Sequence, residues 1–216
     1  MKLYWQPEEN VGDKLTPYIY EKLTGNEPVF SRKPGKTLII GSILHHAKEG
    51  DVVFGSGLIS PKHLPQSKDI TVKGVRGFLT QYTLQKHGIK VGGVVSDPAI
   101  VMPEIYKPMV EKEYELGIVP HYVDLELVEP KEGVNIISPR LGVEEFITEM
   151  NKCKRIESSS LHGLILAEAY GIPAKRVIYS GKLVGGDFKF DDYQTSKKLN
   201  ITSADMLNNL KDLLCD

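Results

Sequence analysis

Cysteine is scarce: the 216 residues contain two, Cys153 and Cys215. Neither stands in a Cys-x-x-Cys pair or at ligand spacing from a histidine, which excludes a disulfide framework and a structural zinc site. Cys153, at the end of a helical pattern, reads as an ordinary half-buried thiol. Long hydrophobic runs are absent as well. No stretch approaches the roughly 18 apolar residues of a membrane span, and the opening Met1-Lys2-Leu3-Tyr4-Trp5 lacks the apolar core of a signal peptide, so the chain is expected in the cytosol. Nor is there a surplus of one charge: 27 basic residues against 28 acidic ones give a net charge of −1, without the basic excess that would advertise nucleic-acid binding. Repeats, low-complexity tracts and long linkers are missing too.

What is present is enough apolar material for one large core or two small ones, with 41% hydrophobic residues. Short runs rich in Val, Ile and aromatics alternate with helical patterns. Strands are expected over Lys2–Trp5, Thr37–Gly41, Asp51–Gly55, Ile70–Val75, Val91–Ser96, Gly117–Val123, Val134–Ser138, Lys154–Glu157 and Lys175–Tyr179. Helices are expected over Asp13–Leu23, Arg76–His87, Pro108–Tyr114, Val143–Cys153, Ser160–Tyr170 and Ala204–Leu214. This alternation predicts an α/β fold with parallel sheets. Gly25, Gly88 and Gly171 stand where a left-handed residue would stop a helix. Ser203 is the expected N-cap of the last helix, whose Met206, Leu207, Leu210, Leu213 and Leu214 form a core-facing stripe. Ser96–Lys107, with two prolines and no clear period, is the expected hinge between two halves, 1–103 and 104–216, each of about the common domain size. The last helix is free to pack back on the first half.

The strongest local signal is the run Ile156-Glu157-Ser158-Ser159-Ser160-Leu161-His162-Gly163, a strand that ends in three serines before a helix begins near His162. A helix N-terminus presents unpaired N–H groups and the positive end of the macrodipole, so hydroxyls and a His placed there form an anion seat. The same residues also fit a plainer arrangement, with Ser160 capping the helix and His162 packed on the sheet. Position favours the anion seat, because ligands of open α/β sheets gather at the carboxyl ends of strands. Gly55-Ser56-Gly57 follows another strand and would let a ligand or a facing domain approach the backbone. Arg76, at a strand end before an amphipathic helix, can grip a carboxylate or phosphate bidentately or serve as a solvated terminal charge. His121 closes a short strand and faces either a cleft or its own structure. Arg140 ends another strand, and Lys189 is a basic residue flanked by aromatics. Asp13, in Glu9-Asn10-Val11-Gly12-Asp13-Lys14-Leu15, either supports a helix start or lies on the rim of a cleft. His45, His46 and His63 show no ligand spacing and are assigned to surface or structural roles.

Taken in order, six stretches resemble the polysaccharide pyruvyl transferase family: N-x-G-D-x-L at Asn10–Leu15, D-V-V-F-G-S-G at Asp51–Gly57, V-R-G-F-L-T at Val75–Thr80, S-D-P-A at Ser96–Ala99, P-H-Y-x-D at Pro120–Asp124, and S-S-S-L-H-G-L-I-L-A-E-A-Y-G-I-P at Ser158–Pro173. The resemblance implies two Rossmann-like domains facing a cleft, as in GT-B glycosyltransferases, in a compact version. It implies transfer of the carboxyvinyl unit of phosphoenolpyruvate onto two hydroxyls of a sugar as a cyclic ketal, with phosphate released. By carry-over Arg76 is similar to a phosphoenolpyruvate ligand and His162 to the catalytic or phosphate-contacting His, with Gly55–Gly57 lining the cleft. Where the family usually has an Arg two residues before the His-Gly pair, this chain has Ser160. That cation is then either missing or supplied by Arg140 or Lys189.

Such chemistry needs a general acid, a general base and cations that hold a carboxylate and a phosphate. His162 is the expected acid, His121 the base or an acceptor-positioning group, and Arg76 with Ser158, Ser159, Ser160 and Gly163 the anion seat. No metal or redox cofactor is expected. The expected partners are phosphoenolpyruvate and a sugar in a glycan precursor, with peripheral contact where that precursor is membrane-linked. Two alternatives stand beside this reading. One is a nucleotide-sugar glycosyltransferase of similar fold, for which Glu168 is the tempting ribose ligand. The other is a degenerate glycan-binding relative without turnover.

Overall fold

Two all-parallel sheets organise the computed structural model, which describes residues 1–7 and 10–215; Glu9, the first residue of the expected N-terminal loop, lies outside the described residues. The first sheet has the order β2-β1-β3-β4-β5, with β1 Lys2–Tyr4, β2 Val29–Phe30, β3 Thr37–Leu38, β4 Val52–Phe54 and β5 Thr71–Gly74. The second has the order β7-β6-β8-β9, with β6 Tyr114–Val119, β7 Val134–Ile136, β8 Cys153–Ser158 and β9 Ala174–Arg176. In each sheet the first strand lies inside, and the chain adds one strand on one side before crossing to the other. The order therefore reverses between β1 and β3 and again between β6 and β8, which makes the carboxyl ends of those four strands the places where a crevice opens.

Seven helices accompany the sheets among the described residues: α1 Val11–Thr24, α2 Phe78–Lys86, α3 Met102–Ile105, α4 Val143–Asn151, α5 Leu161–Ala169, α6 Phe188–Ser196 and α7 Ser203–Leu214. Asn10 caps α1 by accepting from the Gly12 N–H at 3.0 Å, and Gly25 ends it at φ 69°. One buried cluster runs through both sheets. Val11, Leu15 and Ile19 of α1 share it with Phe146, Ile147 and Met150 of α4, Leu164 and Ile165 of α5, and Met206 and Leu210 of α7. A second cluster, with Leu38, Val53, Val72 and Leu84, lies in the first half, and Phe188 of α6 packs against it. Behind that sheet the Lys36 ammonium and the Asp51 carboxylate form a fully buried ion pair. Among the described residues no helix is long and apolar enough to cross a membrane.

Several local expectations need correction. The helix expected over Pro108–Tyr114 is irregular chain followed by the start of β6. Its Met109 is 99% exposed, so no apolar stripe was there to bury. Val91–Ser96 forms two isolated bridges, Val72 with Val91 and Val75 with Val94, rather than a strand. Gly92 and Gly93 fall between them, and glycine weakens a strand. The expected hinge is helical and sits in the core. Pro98 opens a 3-10 turn, capped by Asp97 accepting from the Ala99 N–H at 3.0 Å, and Pro103 lies in the first turn of α3. Pro98, Ala99, Val101 and Met102 are buried there, because proline at a helix start loses no hydrogen bond. The N-cap of α7 is Thr202 rather than Ser203, in a reciprocal box with Asp205. Strand β2 and helix α6 are additional to those expected.

Gly163 tests how tightly α5 is pressed on the second sheet. A Cβ there would lie 2.3 Å from Ser158 Oγ and 2.7 Å from Val119 Cγ1. Inside a helix Gly→Ala ordinarily adds about 1 kcal/mol, but the overpacking makes Gly163→Ala lose about 1–3 kcal/mol by urea unfolding. A variant as stable as wild type would show that α5 can shift freely.

Candidate active site

The four switch-point strand ends meet at one cavity of about 260 Å³. Gln6 and Asn10 reach it from the connection after β1, and Gly41, Ser42, His45 and His46 from the connection after β3. From the second sheet come His121, Tyr122 and Val123 after β6, Pro139 after β7, and Ser160, Leu161 and His162 after β8. Lys189 of α6 and Lys182 of the preceding loop complete that side. All the lining lysines come from the second half; the first contributes neutral hydrogen-bonding groups and the Asp13 carboxylate.

Lys189 is 8% exposed, and its ammonium lies 5.5 Å from the Phe190 ring centroid. It has no hydrogen-bonding partner among the described residues. Burial first, then the Arg76 and Arg176 charges, pull its pKa down to about 8, against the opposing pull of Asp13. His162 is packed against Gly12, which has no Cβ to strike the ring. Its Nε2 sits 3.7 Å from Asp97 Oδ2, and both atoms are buried without a hydrogen bond. That distance is too long for a hydrogen bond, yet the carboxylate faces the ring directly. His121 stands at 4.4 Å from the Tyr122 ring, and its Nδ1 accepts a long 3.4 Å contact from the Val123 N–H. Burial, with Lys189 adding and Asp124 opposing, lowers its pKa to about 4. It is therefore a neutral acceptor at pH 7.

The serine turn divides its labour. Ser160 opens α5 and lines the cavity, and its side chain makes no capping bond. Ser158 and Ser159 are buried and spent internally, which corrects their expected contact with an anion. Ser158 Oγ lies 2.8 Å from the Val119 carbonyl and accepts from the Ser160 N–H at 3.0 Å. Ser159 Oγ donates to Asp124 at 2.8 Å and accepts from the His121 N–H at 2.8 Å, so it fixes the loop that carries His121. Gly163 serves packing, as described above.

Arg76 is the largest correction. It is fully buried, with Nε 3.0 Å from Asp192 Oδ2 and Nη1 2.8 Å from Ser42 Oγ. The guanidinium stands behind the cavity wall and is consumed by protein groups, so it is no substrate ligand. Gly55 and Gly57 do not line the cleft either. A Cβ on Gly55 would strike Pro98 at 2.2 Å, and one on Gly57 the Arg76 guanidinium at 2.4 Å. Ser56 is buried between them. Arg140 is exposed and outside the lining; its carbonyl accepts from Lys14 Nζ at 2.7 Å. Asp13 does line the cavity and pairs with the Asn10 amide. His45 and His46, assigned above to surface or structural roles, are in its wall, with rings 4.0 Å apart and His45 lowered to about 4 by burial and the neighbouring His46 and His63. The strand-end rule applied to Gly41-Ser42 after β3 would have found them. Glu168, the tempting ribose ligand, accepts from Tyr193 at 3.0 Å and Lys197 at 2.6 Å. It lines a separate cavity of about 340 Å³ beside Ser96 and Asn200, which holds no histidine.

With this geometry in view, comparison with known proteins places the chain. The family model described as polysaccharide pyruvyl transferase matches residues 31–180. The chain belongs to that family. Among proteins similar to this chain, the uncharacterized protein L143 of Acanthamoeba polyphaga mimivirus is 29% identical over 212 residues, covering 88% of this chain and 71% of the viral protein. The succinoglycan biosynthesis protein ExoV of Rhizobium meliloti (strain 1021) is 27% identical over 207 residues, covering 88% of this chain. The match spans 62% of ExoV, under two thirds of its length. No solved structure matches the chain significantly.

The low values at His45 and His121 carry a stability consequence. Between about pH 6.5 and 4 the unfolded chain binds protons at both rings and the folded chain does not, so stability falls as the pH drops through that window. His45→Gln and His121→Gln should each lose less stability than wild type between pH 7 and 4.5, by urea midpoints. Equal losses would contradict the neutral state of these rings.

Proposed function

We propose that this cavity transfers the pyruvyl group of phosphoenolpyruvate onto two hydroxyls of a sugar in a surface-polysaccharide precursor, forming a ketal and releasing phosphate in the cytosol. The observation that carries this reading is Lys189, a residue 8% exposed whose ammonium has no hydrogen-bonding partner among the described residues and which lines a cavity that also receives the first turn of α5. A buried charge is costly; Asp13 offsets only part of that cost, since the net pull on Lys189 is downward, and a trivalent anion supplies the rest. The α5 amides add the positive end of a helix dipole. Family membership supports a transferase of polysaccharide biosynthesis. The facing strand ends of the two sheets support a GT-B-like pair of domains, 1–103 and 104–216.

The atoms balance as follows. One hydroxyl proton of the acceptor ends on C3, which becomes a methyl group, and the other leaves with phosphate; two C–O bonds form at C2 and its bond to the phosphate oxygen breaks. His162 gives the proton to C3, with Asp97 Oδ2 3.7 Å behind its Nε2. His121, neutral in the free protein, takes a hydroxyl proton, and the incoming anion raises its affinity for it. Lys189 and the α5 N-terminus hold the departing phosphate. Proton transfer and substitution at carbon require no electron transfer, so no redox cofactor enters.

The test is phosphate release from phosphoenolpyruvate that depends on an acceptor oligosaccharide, together with a glycan mass gain of one pyruvate less water. His162→Ala is expected to lower kcat by about 100-fold or more, and Lys189→Met to raise the phosphoenolpyruvate KM by about 10-fold or more. Wild-type constants in both variants would refute the site. Turnover with a nucleotide-sugar instead would move the protein to the glycosyltransferase reading.

A further inference from the structure

Arg76 leaves the substrate site in this structure but does not leave the problem of building it. Its guanidinium uses every edge. Nε and Nη2 each lie 3.0 Å from Asp192 Oδ2, Nη2 donates to the Leu58 carbonyl at 3.1 Å, and Nη1 donates to Ser42 Oγ at 2.8 Å. Asp192 also receives the Thr80 N–H at 2.7 Å and the Thr80 hydroxyl at 2.8 Å. The partners thus come from the connections after β3 and β4, from α2, and from α6 of the other half.

Two glycines make the junction possible. Gly57 clears the space of the guanidinium, and a Cβ on Gly77 would lie 1.9 Å from the Asp192 carbonyl oxygen. The Phe78 N–H donates to Thr195 Oγ1 at 2.8 Å, a second stitch between α2 and α6. Asp192 and Lys189 are three residues apart on α6, a spacing that sets both on neighbouring turns of one helix. Ser42 Oγ spends a lone pair on Arg76, and its own O–H has no acceptor among the described residues. That proton remains for whatever enters the cavity that Ser42 lines.

We infer that Arg76 is a positioning residue that sets both walls of the pocket at once, turning the Ser42 hydroxyl into a donor on one side and, through Asp192, anchoring the helix that presents Lys189 on the other. The inference rests on the anion-binding reading given above. It explains why an arginine is needed where no ligand touches it: a lysine has one charged atom and cannot fork to Asp192 while bonding Ser42. Charge adds to geometry. The groups that bear on Lys189 are Arg76 behind it, Arg176 from β9, Asp13 from α1 and His121 from the connection after β6, with the Phe190 ring alongside.

Three variants test it: Arg76→Lys, Ser42→Ala, and the double change Arg76→Met with Asp192→Leu, which replaces the buried pair by apolar groups and so spares the fold the lone Asp192 charge. Folding is followed by circular dichroism and urea. Phosphoenolpyruvate affinity is measured by calorimetry, and acylation of Lys189 by acetic anhydride is followed against pH by mass spectrometry. Expected is a folded double variant with about 10-fold weaker phosphoenolpyruvate binding, and an acylation midpoint moved up from about 8 by about one unit or more as the ammonium gains water and loses a cationic neighbour. Arg76→Lys is expected to weaken binding by about 5-fold or more, and Ser42→Ala by about 3-fold, the scale of one hydrogen bond. A folded double variant, or Arg76→Lys if the double variant does not fold, with wild-type affinity and a wild-type midpoint would overturn the inference. A shifted midpoint in a protein whose wild type binds no phosphoenolpyruvate would uphold Arg76 as the clamp while removing the donor assigned to the pocket. A purely structural arginine would move the urea midpoint and leave both other readouts unchanged.

Discussion

A parallel sheet exposes its connections only at the two ends of its strands, and both sheets here turn their carboxyl ends toward the same cavity. Nearly everything of interest follows from that constraint. The order reverses once in each sheet, between β1 and β3 and between β6 and β8, so the loops leaving those strands must diverge and leave a crevice. Four such loops supply Gln6, Ser42, His121 and Ser160. The shared core, in which α1 packs with α4 and α7, keeps the two crevices in register as one.

Within that crevice charge is distributed unevenly, and the unevenness has structural causes. The second half brings Lys182, Lys189 and the start of α5; the first half brings His45 and His46, whose charged forms burial disfavours, and Asp13. The buried carboxylate on the helix of Lys189, Asp192, is engaged by Arg76 and Thr80, which leaves Asp13 as the carboxylate that pulls on the ammonium. The molecule thus leaves one cation without a hydrogen-bonding partner and surrounds a second, Arg76, with partners that include Asp192, one helical turn from Lys189. In energetic terms the first is a standing penalty relieved by an anion, and the second is a fastener.

The sequence was most readable where local chemistry decides. The alternation of short β-branched runs with helical patterns located most strands and the α1, α2, α4, α5 and α7 helices to within a few residues, and the serine turn before α5 stood out as a helix start facing a strand end. His121, His162, Ser160 and Asp13, picked out from their positions at strand ends or helix starts, and Lys189, picked out as a basic residue between aromatics, all line one cavity. What stayed hidden depends on distant partners. Arg76 follows a strand just as a ligand residue would, and only Asp192, 116 residues later on a helix without a clear apolar stripe, turns it inward. Gly55 and Gly57 read as openings for a ligand, whereas the closely approaching groups are Pro98 and Arg76. Ser96–Lys107 read as a hinge because two prolines break the period, although Pro98 opens a buried 3-10 turn and Pro103 sits in the first turn of α3. His45 and His46 were passed over for lacking metal-ligand spacing, a criterion that says nothing about lining a pocket.

The central claim is that Lys189 and the first turn of α5 form the seat of an anionic donor. The most direct measurement is a crystal structure of the protein soaked with phosphoenolpyruvate. The account predicts a phosphate oxygen within hydrogen-bond distance of Lys189 Nζ, about 2.7–3.2 Å, with the α5 N–H groups facing the same anion and His162 beside the vinyl carbon. Density for the ligand in the cavity beside Ser96 and Glu168, or a fully occupied ligand that leaves Lys189 unpaired, would contradict it.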